Sequence, residues 1–166
     1  MTVFSVESAG DLSEELLQRF LYLSYVDWQP PEVDRPHLDR FVQTEAAVPR
    51  WCRGWGRTGD HGFRTTRDGA TVGLAWCRLL TAGDSGHSFV SERIPCLAIA
   101  VEPEARGCGI GAALLDALVE KLRELDYEAL TLAVEVDNPA GRLYERAGFV
   151  AEDRRGGYLR MRRTLA

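Results

Sequence analysis

The chain has 166 residues, 45% hydrophobic and 27% charged, with a net charge of −5, which suits one ordinary domain with a real core and argues against broad attraction to nucleic acid. No apolar stretch nears the roughly 18 residues of a membrane-spanning helix, and the N-terminus shows no basic leader followed by an apolar segment. Cys52, Cys77, Cys96 and Cys108 form no Cys-x-x-Cys pair, and His37, His61 and His87 lack metal-ligand spacing, so a single domain over residues 1–166 in a reducing cytoplasm, with no metal, no membrane and no nucleic-acid partner, is the expectation.

Residues 2–7 read as a first strand. Asp11 or Ser13 can cap a helix whose Leu16, Leu17, Phe20, Leu21 and Leu23 make an apolar stripe, ending before Pro30-Pro31. Residues 37–48 read as a second, weaker helix, and 49–60, with Trp51 and Trp55 among glycines and a proline, as an irregular loop. Strands over 61–67 and 70–81 flank Arg67-Asp68-Gly69, a hairpin signal. After a polar loop at 83–93, residues 96–101 are continuously apolar, as in a strand covered on both faces. Ile110, Leu114, Leu118, Leu122 and Leu125 then recur at helical spacing, and 129–134 is another buried strand. Asn138 and Pro139 suit the N-cap and first position of a further helix, which Gly148 stops. Segments 149–153 and 158–164 around Gly156-Gly157 read as a terminal hairpin. The fold class is α/β: one central, mixed, mostly antiparallel twisted sheet flanked by helices.

The most informative stretch runs from Ile99 through Ala100 and Val101 to Arg106-Gly107-Cys108-Gly109-Ile110-Gly111, where the long helix begins. A helix start leaves about four N–H groups unpaired beside a dipole of roughly +0.5 charge, and glycines let an anion approach them closely. The pattern reads as a phosphate-holding bend; the competing reading is a tight turn and nothing more. Gly107-x-Gly109-x-x-Ala112 also satisfies the dinucleotide fingerprint in form, but residues 102–106 intervene between strand and first glycine, which that motif does not allow.

The segment Arg106 to Gly111 resembles the Arg/Gln-x-x-Gly-x-Gly/Ala loop of the GNAT superfamily of N-acetyltransferases, and Asp137-Asn138-Pro139-Ala140-Gly141-Arg142-Leu143-Tyr144 is similar to its second motif. The clear resemblance covers residues 94–150; the N-terminal half matches only in its order of elements. It implies acetyl-coenzyme A as co-substrate. Backbone groups of Ile99, Ala100 and Val101 would pair with the pantetheine arm, Arg106, Gly107, Cys108, Gly109, Ile110 and Gly111 would wrap the pyrophosphate, and Asn138 would contact the cofactor. The implied reaction is acetyl transfer to a primary amine of a small molecule or peptide by direct attack; the alternative is a catalytically silent acyl-coenzyme A sensor.

Tyr144 is the catalytic candidate, as a phenol that stabilises a departing thiolate, with packing beside Leu143 and Phe149 as the alternative. An amine with pKa near 10 must also lose a proton. Many superfamily members place a glutamate on the central strands, but 96–101 holds no acid and Ala133 and Val134 are apolar. Glu92, upstream of the first strand, is the chosen base, with Glu102, Glu135 and water left open. Trp28, Trp51, Trp55, Trp76, Asp60 and His61 are candidates for the acceptor pocket or, equally, for core and loop bracing. Cys108 at the helix start suggests a mixed disulfide with coenzyme A or a tolerated small residue, and the terminal hairpin is a candidate homodimer surface.

Overall fold

The computed structural model describes residues 4–25 and 35–166. Trp28 and Pro30-Pro31, and with them the end of the first helix as read from sequence, lie outside the described residues. Seven strands form one sheet in the order β1-β2-β3-β4-β5-β7-β6. They are β1 (Ser5–Ser8), β2 (His61–Arg67), β3 (Ala70–Arg78), β4 (Cys96–Val101), β5 (Ala129–Glu135), β6 (Val150–Arg155) and β7 (Tyr158–Thr164). The helices are α1 (Glu14–Tyr25), α2 (Arg35–Thr44), α3 (Ala47–Cys52), α4 (Ile110–Glu124) and α5 (Gly141–Arg146). Among the described residues no helix is long and apolar enough to cross a membrane.

The two-residue period of the central strands sorts the core into two layers. On β3 and β4, Leu74, Trp76, Cys96, Ala98 and Ala100 point to α1 and α3, while Ala75, Cys77, Leu97 and Ile99 point to α4. Both faces are therefore apolar, which is why 96–101 carries no polar residue. The α4 stripe of Ile110, Leu114, Leu118 and Leu122 is fully buried, each side chain contributing about 1.5–3 kcal/mol.

The pairing is antiparallel everywhere except between β4 and β5, which run parallel and meet at one place, Cys96 opposite Thr131. The Thr131 N–H donates to the Pro95 carbonyl at 3.1 Å, closing that end. Beyond it β5 pairs with β7, β4 pairs with β3, and a wedge opens between them.

Three expectations are corrected. The second helix is two: α2 ends at Thr44, and α3 reaches into the stretch read as a loop. Pro49 sits in the first turn of α3, where a missing N–H costs nothing, and Ala47, Val48, Trp51 and Cys52 bury the apolar face. Asn138 is not the N-cap of α5, which is Ala140; instead Asn138 Oδ1 accepts the Ala140 N–H at 2.9 Å, making a turn before the helix. β3 ends at Arg78, and Thr81 bridges to Asp84 in a small loop of its own.

Candidate active site

The wedge is the origin of the site. Past Cys96, the β4 edge that faces β5 has no strand partner among the described residues, so its main-chain groups are open to an added extended chain. The chain then turns through 103–105 into the glycine bend. Arg106 Nε donates to the Val101 carbonyl at 3.0 Å, tying the bend to the end of the strand. Gly107 and Gly109 have φ of 74° and 82°, the left-handed region that favours glycine, and a Cβ at either would meet nothing within 4 Å. That space lies in front of the helix start. The first bond closing α4 runs from the Ala113 N–H to the Gly109 carbonyl at 3.1 Å, so the preceding N–H groups point outward. A cavity of about 180 Å³ follows, lined by Ile99, Ala100, Val101, the bend and Leu143. The Cys108 side chain is exposed, its Sγ 3.6 Å from the Arg106 carbonyl.

A second cavity, of about 110 Å³, opens on the other side of Ile99 and Tyr144, which line both. Tyr144 is 9% exposed and its ring meets Phe149 edge-on at 6.1 Å, so it packs as a core residue while lining both cavities. The second cavity draws on α1 (Tyr25), α3 (Arg50, Trp51), the 86–88 loop (His87), β5 (Glu135) and β7 (Tyr158). His87 stacks on Tyr158 with ring centroids 4.4 Å apart and planes 13° apart. Burial, with Glu45 next, pushes the Tyr25 phenol up to about 12. Burial, then the charge of Glu135, raises Tyr158. Both phenols stay protonated at neutral pH and can only donate or accept hydrogen bonds.

The other residues singled out from sequence are scattered. Glu92 accepts the Ala82 N–H at 3.3 Å and lines a separate recess with Leu79, Leu125 and Tyr127. That recess shares no residue with either cavity lined by Tyr144, so Glu92 is not brought to Tyr144, and its choice as base is corrected. Glu102 is held by Arg19 at 2.7 Å. Asp60 is not an acceptor contact either: it pairs with Arg78 at 2.8 and 2.9 Å, both side chains 1% exposed or less. Arg78 also donates to the carbonyls of Arg50, Arg53 and Gly54, satisfying the C-terminal end of α3 and fixing the helix that supplies Arg50 and Trp51. Trp76 is core, its indole N–H donating to the Trp51 carbonyl. Trp55 donates to the Gly10 carbonyl, and His61 packs on Tyr127. Among the described members of that group, only Trp51 reaches the cavity. Arg50, His87 and Tyr158 were not singled out from sequence, and no local pattern marks them; Glu135 was among the acids left open as base, and the β5 period of two, which puts it on one face with Ala133, was the signal that could have favoured it.

The geometry has counterparts. Along its sequence, the chain is 38% identical over 90 residues to a mycothiol acetyltransferase of Geodermatophilus obscurus, a match covering 53% of this chain and 28% of that protein. It is 42% identical over 60 residues to the [ribosomal protein bS18]-alanine N-acetyltransferase of Haemophilus influenzae, covering 36% of this chain and 41% of that one. The matches thus span well under two thirds of the relatives' own length. In fold, it is similar to the PaiA N-acetyltransferase of Thermoplasma acidophilum, solved in complex with coenzyme A, with a TM-score of 0.69 and 16% identity over 96% of this chain and 99% of that one. The model of the acetyltransferase (GNAT) family matches residues 18–149, taking in both cavities' central strands, the glycine bend and Tyr144, and the chain belongs to that family.

Proposed function

We propose that this protein is an N-acetyltransferase, moving an acetyl group from acetyl-coenzyme A to a primary amine by direct attack in a ternary complex. The observation that carries the reading is the meeting of two cavities at Tyr144, one behind the free edge of β4 and the glycine bend, the other under the helical layer. The amide-bearing arm of the cofactor suits the open main-chain groups of Ile99, Ala100 and Val101, as an added strand would. Its pyrophosphate suits the N–H groups between Arg106 and Gly111, where no Cβ stands at Gly107 or Gly109. Asn138, with Oδ1 committed to Ala140, lines the second cavity beside Tyr144, where its amide nitrogen would reach the acetyl-bearing end of the cofactor. The Haemophilus relative, named for acetylating an alanine of a ribosomal protein, supports transfer to nitrogen.

When bound, the cofactor supplies an activated acetyl group on a sulfur that can leave. The role of Tyr144 is to hydrogen-bond that sulfur as charge develops on it. With reference pKa values of about 10 for a phenol and 8.5 for a thiol, complete proton transfer is uphill by ~2 kcal/mol. A hydrogen bond that strengthens during the reaction is the smaller demand.

Calorimetry with acetyl-coenzyme A, followed by release of free thiol across an amine panel, tests the reading. Saturable binding and thiol release with at least one amine are expected. Absence of binding at millimolar donor removes the proposal. Binding without release by any amine makes the protein a silent acyl-coenzyme A module.

A further inference from the structure

The acceptor-side cavity holds two charged groups that the reading above leaves without a task. Arg50 reaches it from α3, and Glu135 from the last position of β5. Arg50 is fixed at both ends. Its Nε donates to Asp84 Oδ1 at 2.7 Å, and its main-chain carbonyl accepts from the buried Arg78 guanidinium at 3.3 Å. The guanidinium nests against Gly86, where a Cβ would come within 3.0 Å of Nη1. A guanidinium has five N–H donors. Among the described residues, none accepts from Nη1 or Nη2 of Arg50, although its side chain is 19% exposed. A planar fork of donors, oriented and left open on a cavity, suits an oxyanion.

Glu135 is the opposite pole. It is the one carboxylate among the described residues lining this cavity, and it has no ion-pair or hydrogen-bond partner among them. It stands opposite Tyr158 in the β5–β7 ladder, beside the stacked Tyr158–His87 wall. With Tyr25 and Trp51 facing the same space, the walls are aromatic, and the lining carries one arginine and one carboxylate. The cavity's volume of about 110 Å³ admits a small head group; a cavity of roughly 150 Å³ holds a benzene.

We propose that the acceptor is a small zwitterionic amine of the amino-acid type, its ammonium met by Glu135 and its anionic group held by Arg50. This rests on the acetyl-transfer reading and names the substrate class of the same site. Glu135 takes one proton from the ammonium, and the freed nitrogen pair forms the N–C bond to the acetyl carbon. The C–S bond breaks with its pair on sulfur. A second proton leaves the nitrogen as the amide forms; in sum the thiolate, hydrogen-bonded by Tyr144 as it departs, takes up one proton from solvent once released, and the two protons from nitrogen leave to solvent, the first through Glu135.

The test is steady-state thiol release by the full chain with acetyl-coenzyme A, over a panel in which the amine is kept and the anion varied. An aromatic amino acid, its carboxamide, its decarboxylated amine and its phosphonate analogue make that panel. The amino acid or the phosphonate is expected to exceed both analogues that lack the anion at least 10-fold in kcat/KM, and the faster of the two identifies the anion. Arg50→Gln should erase this preference by raising KM at least 10-fold, and Arg50→Lys should restore part of it. Glu135→Gln should lower kcat at least 10-fold with little change in KM. An acetyl-coenzyme A Kd within 2-fold of the parent protein shows that each variant is folded. Equal rates for the zwitterion, carboxamide and plain amine, or a preference that survives Arg50→Gln, overturn this inference and leave acetyl transfer standing. No thiol release with any amine, while acetyl-coenzyme A still binds, overturns the transfer reading itself.

Discussion

The donor-side and acceptor-side cavities share Ile99 and Tyr144 but are built by opposite means. The donor side is mostly one continuous run, Ile99 to Gly111, and it offers main-chain groups: a strand edge without a partner and a helix start without caps. The acceptor side gathers side chains from α1, α3, the 86–88 loop, β5 and β7, and its charged members are set by contacts far along the chain. A main-chain site needs only the right backbone path, which glycines and strand order dictate locally. A side-chain site depends on which residues the finished fold happens to bring together. The buried Asp60–Arg78 pair illustrates the second kind. It lies outside both cavities, yet through three carbonyls it holds the end of α3, and with it Arg50 and Trp51, in place.

That pair gives the largest way to separate the two sides. Asp60→Ala leaves the Arg78 charge buried without its partner, and should cost about 3–5 kcal/mol of stability, read as a lower urea midpoint. In whatever fraction remains folded at low temperature, acetyl-coenzyme A binding should persist while acceptor KM rises. The reverse is expected of Gly109→Val. A β-branched residue at φ 82°, with its side chain in the space before the helix start, should weaken acetyl-coenzyme A about 100-fold by calorimetry. The urea midpoint should move far less than for Asp60→Ala. Tyr144→Phe tests the shared boundary. It keeps the ring against Phe149 and should lower kcat about 10–100-fold with donor Kd within 2-fold. An unchanged kcat would return Tyr144 to a packing role.

The same contrast explains what the sequence disclosed. The bend at Gly107 and Gly109, the apolar β4 and the α4 stripe were legible because each is a local pattern with a local cause. Tyr144 was singled out through its place in a motif, and it lines both cavities. Glu92 was misassigned because closeness along the chain to β4 does not fix where a loop residue lies; the 86–88 loop lines the second cavity, whereas Glu92 lines the separate recess beside Leu125 and Tyr127. Asp60 and Trp55 looked like a binding surface because polar and aromatic residues in a loop are ambiguous until partners are known, and their partners proved to be Arg78 and the Gly10 carbonyl. α3 was missed because its second half falls in a stretch read as an irregular loop for its tryptophans, glycines and proline, although a proline in a first turn breaks nothing.

The smallest expected effect lies beside Asp60, at His61. Burial, with Lys121 next, lowers this imidazole below its ordinary value of 6.5, against an opposing pull from Asp60. Above that value the ring is neutral in both the folded and unfolded chain and stability does not depend on it. As pH falls through 6.5, the unfolded chain takes up a proton that the folded chain still refuses, so stability declines until the folded ring also titrates. Urea midpoints at pH values between about 5 and 7 should therefore slope downward toward acid in the parent protein and flatten in His61→Gln. His61 packs on Tyr127 and lines neither cavity, so donor affinity of the folded protein should be the same with and without it. If instead donor affinity followed the His61 titration, the two sides of the site would be coupled through β2, and the separation between a locally built donor side and a globally built acceptor side would fail.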